Sequence, residues 1–308
     1  MSRVMTNGGS CCHLSISPDG CWMGAANHAP DPDVDNVPAA NKNGSVVLIS
    51  LDPATGDLLK LAHHILHRLP TDPAVLNHPD RDDHTPHAHS ANWSPSGHYL
   101  FVCEKGLDRV IVYKLNPVAA TLTLHSEALV TVGGAARHLA VHPNGRWVYV
   151  NEEKGGRVHL FEWDDTSGIL SPRQKISTLP ATWSSGSTFT SECSLAPGPS
   201  PRKFYVANRL GSANPPQEGT VAVFDVDPQD GTLSWVGMTA VGWHPRHFKI
   251  DPSNRWMLVS AVHDDAVGVY KLDAEGVPQR TGISAAVPTP THALFLEPDT
   301  LARAKAKI

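Results

Sequence analysis

The sequence predicts an all-β chain folded as a β-propeller of four-stranded antiparallel blades, with five complete blades and one extra innermost strand. Three observations carry that reading. A hairpin with a proline at its turn recurs along the chain, an alternating third strand follows each copy in step, and no segment between the copies shows the apolar period of a helix.

The hairpins come first. HLSISPDGCWMGAAN (13–27), HSANWSPSGHYLFVC (89–103), HLAVHPNGRWVYVN (138–151) and HFKIDPSNRWMLVS (247–260) align on Pro18, Pro95, Pro143 and Pro252. A looser copy, ECSLAPGPSPRKFYVAN (192–208), aligns near Pro197 or Pro199. Each reads as an alternating strand, a proline turn, and a second strand rich in aromatic and β-branched residues. The third strands are SVVLISL (45–51), RVIVYKL (109–115), RVHLFEW (157–163), TVAVFDV (220–226) and AVGVYKL (266–272). Turns loaded with Asp, Pro, Gly and Asn then lead to a weaker fourth strand. A β-sandwich is the alternative, but it would not need its third and fourth strands to repeat in step.

The blades therefore span approximately 8–67, 87–130, 136–178, 189–240 and 245–284 of a single domain over 1–308, and PTHALFLEP adds a last inner strand at 290–297. Two polar insertions, 28–43 and 68–86, are loops on the sheet, the second long enough for a lid. The tail LARAKAKI carries no functional signal.

Composition agrees and excludes several classes. The 308 residues include 24 glycines and 26 prolines, about one residue in six against roughly one in eight in ordinary domains. A net charge of −5 gives no basic excess for nucleic acid or for a polybasic membrane contact. Five cysteines, with Cys11 and Cys12 adjacent, show no CxxC or finger spacing and read as reduced, mostly buried thiols. No apolar run approaches a membrane span, and the first residues lack a signal-peptide core, so the expectation is a soluble cytoplasmic chain.

The repeat also locates a site. Innermost strands line a propeller's channel, so equivalent positions form a ring around the axis. Six residues before the anchor proline lie Cys12, His89, Arg137, Arg246 and, counted from Pro298, His292. One residue later come His13, Ser90, His138, Glu192, His247 and Ala293. Such groups are seldom buried without partners, so a polar, partly cationic channel mouth is expected.

Symmetry about the turn glycines pairs Arg137 with Glu153, His89 with Lys105 and Cys12 with His28, while Arg209 closes the looser second strand. Alternation turns only one of Glu152 and Glu153 inward, and Glu153 is the choice. Alone, Arg137 and Glu153 also read as a salt bridge tying two strands. Three arginines with histidines and a glutamate on one rim instead suit an anionic small molecule: guanidinium forks hold carboxylate or phosphate, and His or Glu moves a proton.

No G-x-S-x-G elbow, H-E-x-x-H, phosphate loop or dinucleotide fingerprint is present. The groups His84, His87, His89 and His63, His64, His67 invite a metal reading, as do Asn27, Asn151 and Asn208 for calcium. Their simpler reading is exposed, capping or strand-ending residues. No cofactor or metal is expected.

The segments PHAHS, ARH, NEE and ANR, together with HPRHFKIDPSNRW and the PDG hairpins, resemble the seven-bladed propeller lactonase family, which includes 6-phosphogluconolactonases of the propeller type and carboxy-cis,cis-muconate cyclases. The resemblance covers nearly the whole chain. It implies catalytic roles for His89, Arg137, Glu153 and Arg209, with Arg246, His247, Glu192 and His138 in substrate binding. Departures are Ala136 where the family has proline and Glu104 where it has aspartate.

The expected activity is metal-independent hydrolysis of a sugar lactone bearing an anionic group, most of all 6-phosphogluconolactone. Glu153 or His89 would serve as base, and Arg137 and Arg209, assisted by Arg246, would hold substrate and oxyanion. Closure of a carboxymuconate to its lactone and a non-catalytic binding platform are the alternatives. The expected partner is a small anionic lactone or carboxylate, with no nucleic acid and no membrane. Against a seven-bladed ring, five blades suggest an N-terminally shortened, incompletely closed member.

Overall fold

The computed structural model describes residues 2–29, 43–68, 85–180, 188–210 and 218–296. These form twenty strands in five separate four-stranded antiparallel sheets, each built from strands consecutive in sequence. The first blade is β1 (Gly9–Ile16), β2 (Trp22–Ala29), β3 (Ser45–Leu51) and β4 (Leu58–Leu66). The second is β5 (Ala88–Trp93), β6 (Tyr99–Glu104), β7 (Arg109–Asn116) and β8 (Thr121–Leu129). The third is β9 (Ala136–Val141), β10 (Trp147–Glu152), β11 (Arg157–Asp164) and β12 (Ile169–Ser177). The fourth is β13 (Thr188–Leu195), β14 (Lys203–Leu210), β15 (Gly219–Val226) and β16 (Leu233–Gly242), and the fifth is β17 (Pro245–Ile250), β18 (Trp256–Ala261), β19 (Ala266–Leu272) and β20 (Pro278–Ala286).

The proline turns explain why the hairpins form. The carbonyls of Ser17, Ser94, His142 and Asp251 each accept the N–H three residues on at 2.9 Å, from Gly20, Gly97, Gly145 and Asn254. Those four residues have φ of 71°, 73°, 71° and 55°, where glycine and asparagine are the residues least strained. Proline just before them holds the opposite sign of φ, so the chain reverses at a fixed place.

The apolar side chains of each blade are buried against its neighbour, not within the sheet. Val46, Leu48, Leu100 and Val102 fill the layer between the first two blades. Phe101, Val112, Val148 and Phe161 fill the next, Tyr149, Leu160, Phe204 and Phe224 the third, and Tyr205, Val223, Phe248 and Met257 the fourth. The third strands of the first four blades are buried on both faces over most of their length, which is why their apolar runs are nearly continuous, while β19 of the last blade is mostly half-buried.

Several expectations change. The fourth strands are full elements of nine or ten residues whose sequences read weakly because they form the exposed rim. Residues 290–296 run beside β17 without forming a ladder, and Ala293 N–H there donates to His247 Nδ1 at 3.3 Å. The expected last inner strand is thus a docked extended segment up to residue 296. All five thiols are free, but only Cys103 and Cys193 are buried, because Cys11 and Cys12 lie on β1, whose side chains are largely exposed. The insertion residues 30–42 and 69–84, the proposed lid among them, and the tail from 297 lie outside the described residues. No helix among those described is long and apolar enough to cross a membrane.

Candidate active site

Every innermost strand carries a β-bulge at the same place. Register shifts fall between Cys11 and His13, Ala88 and Ser90, Ala136 and His138, Thr190 and Cys193, and Pro245 and His247. The residues without a cross-strand partner are therefore Cys12, His89, Arg137, the Ser191–Glu192 pair and Arg246. These are the ring positions that the proline alignment picks out. A bulge re-aims its extra side chain while the ladder continues around it, and here it does so five times on one ring. Two residues ahead of three of these bulges, Ser10, Ala135 and His244 hold φ of 51°, 63° and 59°, a left-handed conformation that costs a non-glycine residue about 1 kcal/mol or more.

The register corrects the expected pairing, since each hairpin is centred just before its turn glycine and the bulge shifts the pairs again. Asn151 lies opposite His138 and Glu152 opposite Ala136, so Arg137 and Glu153 are not directly opposed, nor are His89 and Lys105 or Cys12 and His28. The side chains of Arg137 and Glu153 still meet, with Nε and Oε2 3.3 Å apart. Glu153 Oε1 lies 3.2 Å from both Arg209 Nη2 and Lys105 Nζ. One carboxylate thus gathers cations from three blades. Burial alone would raise its pKa, but Arg209, Lys105 and Arg137 outweigh that and hold it at about 2. Arg137, 2% exposed, is brought down to about 10 by burial and by Arg209, with Glu153 opposing. Its Nη1 donates to Ser191 O, and Arg209 Nη2 donates to Thr190 O at 2.8 Å.

A second carboxylate stands on the other side of Arg137. Glu192 Oε1 is 3.2 Å from His138 Nδ1, and its Oε2 is 3.6 Å from His247 Nε2. Burial would raise this carboxyl too, yet His138, His247 and Arg137 hold it at about 2. The His138 ring sits 5.1 Å from that of His89 and 5.4 Å from that of His13, and His292 lies 3.9 Å from His247, centre to centre. Burial favours the neutral form of four of these rings: it lowers His138, takes His247 to about 4 and His13 to about 3, and holds His89 well below the usual imidazole value with help from Arg137. Arg246, half-buried, makes no ion pair or hydrogen bond with the described residues.

All eight residues singled out from the sequence therefore converge on one channel mouth. Lys105 belongs with them as a partner of Glu153. It holds the same place after its proline as Glu153 does one blade later, a signal available in the alignment. Glu152 points elsewhere: it is fully buried, 2.6 Å from His159 Nε2, and accepts Thr131 N–H at 2.8 Å. Glu104 is likewise committed, to His67 at 3.2 Å and to Leu107 N–H.

The three asparagines considered for calcium are buried cross-links. Asn151 bonds Thr190 Oγ1, Asn208 bonds Thr178 and Thr220, and Asn27 bonds Ser45. Among the described residues no group of three His, Cys, Asp or Glu side chains is arranged to hold a metal. His84, one of the candidates, lies outside them.

With Lys105, Arg137, Arg209 and Arg246 against Glu153 and Glu192, and the histidines neutral, the cluster carries a net charge of +2. It also holds five of the nine buried side-chain atoms without a hydrogen bond among the described residues: His89 Nδ1, Arg137 Nε, His138 Nε2, Glu153 Oε2 and Arg209 Nε. Arg137 Nε and Glu153 Oε2 still face each other as an ion pair, so His89 Nδ1, His138 Nε2 and Arg209 Nε are the three with no partner among the described residues; buried groups left so cost about 1–3 kcal/mol each, and their concentration at one cationic mouth suits an anionic, hydrogen-bonding guest.

Comparison with known proteins agrees in architecture. A family model described as lactonase, seven-bladed beta-propeller, matches residues 1–295. A 6-phosphogluconolactonase of Serratia proteamaculans is 30% identical over 187 residues, 60% of this chain and 53% of that protein. The solved periplasmic gluconolactonase of Pseudomonas aeruginosa superposes with a TM-score of 0.80 at 27% identity, covering 96% of this chain and 76% of that one. A putative 6-phosphogluconolactonase from Bacteroides uniformis gives 0.76 at 25% identity over the same shares.

Proposed function

Because the chain belongs to the seven-bladed β-propeller lactonase family, we propose that it hydrolyses a sugar lactone bearing an anionic group, most of all 6-phosphogluconolactone, without a metal. The observation that carries this reading is the +2 cluster with three buried nitrogens, on His89, His138 and Arg209, that have no partner among the described residues. The names of the Serratia and Bacteroides relatives support the phosphorylated substrate, and that of the Pseudomonas relative supports a lactone as such. A site whose carboxylates are already claimed by guanidinium, ammonium and imidazole groups repels a metal cation, which supports a metal-free mechanism.

Arg137, Arg209 and Arg246 bind the phosphate or carboxylate and stabilise the oxyanion that forms when water adds to the lactone carbonyl. Glu153 is a positioning residue. Pinned between three cations it is a weak base, but it holds the two guanidinium groups Arg137 and Arg209 in one place. His89 offers a hydrogen bond to substrate from beside Arg137. The ring C–O bond then breaks, and the alkoxide takes the proton that the water has lost. The five unpaired thiols support a cytoplasmic location.

The test is a panel of lactones with purified protein. Hydrolysis of 6-phosphogluconolactone well above that of gluconolactone, unaffected by chelator, is expected. Absence of turnover on every lactone, activity lost to chelator, or turnover of a carboxymuconate alone would each overturn the reading.

A further inference from the structure

Resting on that reading, we infer that His138 is the general base of the hydrolysis and that Glu192 is its positioning residue. Hydrolysis needs a group that takes a proton from water at neutral pH and returns it to the leaving oxygen. Glu153 is the obvious carboxylate, but three cations within 3.3 Å hold its charge, and protonating it would leave them facing one another. Among the described residues His89 has no carboxylate paired with it, and its Nδ1 is a buried atom without a hydrogen bond.

His138 differs from both. Its Nδ1 faces Glu192 Oε1 at 3.2 Å, and the carboxylate accepts only, so the proton of the neutral ring belongs on Nδ1. The lone pair is then on Nε2, which is buried and bonded to nothing among the described residues. A carboxylate behind one nitrogen and an open acceptor at the other is the arrangement that lets a histidine take a proton and become charged without reorganising.

The position suits the task. His138 and Glu192 stand between the arginines of the mouth and a cavity of about 490 Å³ that they line with His13 and Asn92 and that runs on to the turn prolines Pro18 and Pro95, within the size range of small-molecule sites; the arginines do not line it. Arg137 is the preceding residue of the same strand, and its guanidinium donates to Ser191 O, next to Glu192. Oxyanion stabiliser and base are thus adjacent in sequence but re-aimed by the bulge. In the reaction Nε2 removes a proton from water as the water oxygen bonds the lactone carbon. The imidazolium then gives that proton to the ring oxygen as the C–O bond breaks, yielding the open-chain acid and a neutral His138.

The groups that set its titration come from every strand around it: His13 from β1, His89 from β5, Arg137 from its own strand, Glu192 from β13, and Arg246 and His247 from β17. Glu192 is the only anion among them and supports the imidazolium, while burial and the two arginines oppose it.

His138→Gln is expected to lower kcat on the best lactone about 10²- to 10⁴-fold with KM within a fewfold. Glu192→Gln should lower kcat less and move the acid limb of kcat/KM to lower pH, because the charge that favours imidazolium is gone; a merely structural glutamate would not move that limb. Nitrogen-15 NMR of the wild-type protein at pH 7 should show His138 neutral with its proton on Nδ1, independently of how the variants fold. Wild-type kcat in a folded His138→Gln protein, an unmoved acid limb in Glu192→Gln, or a proton on Nε2 would overturn the assignment while leaving lactone hydrolysis standing. A wild-type protein that hydrolyses no lactone would bring down both.

Discussion

Glu152 and Glu153 are neighbours in the chain and opposites in the structure. Glu152 turns toward the gap between the second and third blades, where His159, Arg157 and Thr131 N–H use both of its oxygens. The backbone closes on it so tightly that a Cβ on Gly155 would stand 1.9 Å from Oε2 and one on Gly134 2.6 Å from Cδ. Glu104 repeats the pattern one blade earlier, through His67 to the Tyr113 hydroxyl at 3.0 Å. Glu153, one residue on, meets the channel, its Oε2 held only by the ion pair with Arg137 Nε and beside an Arg209 Nε that has no partner among the described residues. The same residue types make an anchor where every valence is used and a binding site where some are left open.

The contrast can be broken at either end. The largest effect is expected at the anchor: Glu152→Ala leaves His159 and Thr131 N–H facing a buried void and should cost about 3–5 kcal/mol in urea unfolding, with turnover per folded molecule near wild type. An unchanged midpoint would show that the anchor is dispensable. Next, Arg137→Ala should lower turnover on the preferred lactone roughly a hundred- to a thousandfold, and wild-type turnover would remove this residue from the site. Smaller again, 6-phosphogluconate at a hundred times its Kd should stabilise the protein by about 2.7 kcal/mol in a thermal shift, an effect that Arg209→Ala should abolish and Glu152→Gln should not.

The smallest concerns acid. His247 is held at about 4 by burial, below its unfolded value of about 6.5. The unfolded chain therefore binds the proton first, and the stability from keeping this ring neutral, present above pH 6.5, is lost as pH falls toward 4. Between pH 6.5 and 5 the loss is about 1–2 kcal/mol for this one group, read from urea midpoints. Glu153 and Glu192, held at about 2, contribute above the usual carboxylate range and lose that contribution only as pH falls from about 4.3 toward 2. A single acid transition starting below pH 4.3 would show that the histidines are not held neutral.

Much of this was legible in the chain. The third strands fall within a residue of where alternation puts them, β3 at Ser45–Leu51 and β15 at Gly219–Val226 among them, because a strand buried on both faces leaves an unbroken apolar run. The channel-mouth residues were legible because one turn repeats at one distance from them. The register was not: counting symmetrically about Gly145 misplaces the ladder, whose pairs from Val141–Val148 to His138–Asn151 are centred between Asn144 and Gly145, and the bulge at Arg137 then moves the pairing once more. Nor did strand period foretell that Lys105 reaches Glu153 or that His138 meets Glu192, since those contacts cross from blade to blade and depend on how sheets stack.

The five bulges make the inner ring a set of interchangeable sockets. A residue that takes no part in the ladder can be exchanged without asking the sheet to repair itself, and the five sockets already hold Cys12, His89, Arg137, Ser191–Glu192 and Arg246. Repetition supplies the frame while each socket varies separately. A scaffold of this kind can change what it recognises one position at a time, trading an arginine for a histidine or a thiol, and Cys12 is the socket where such a trade would disturb the present chemistry least.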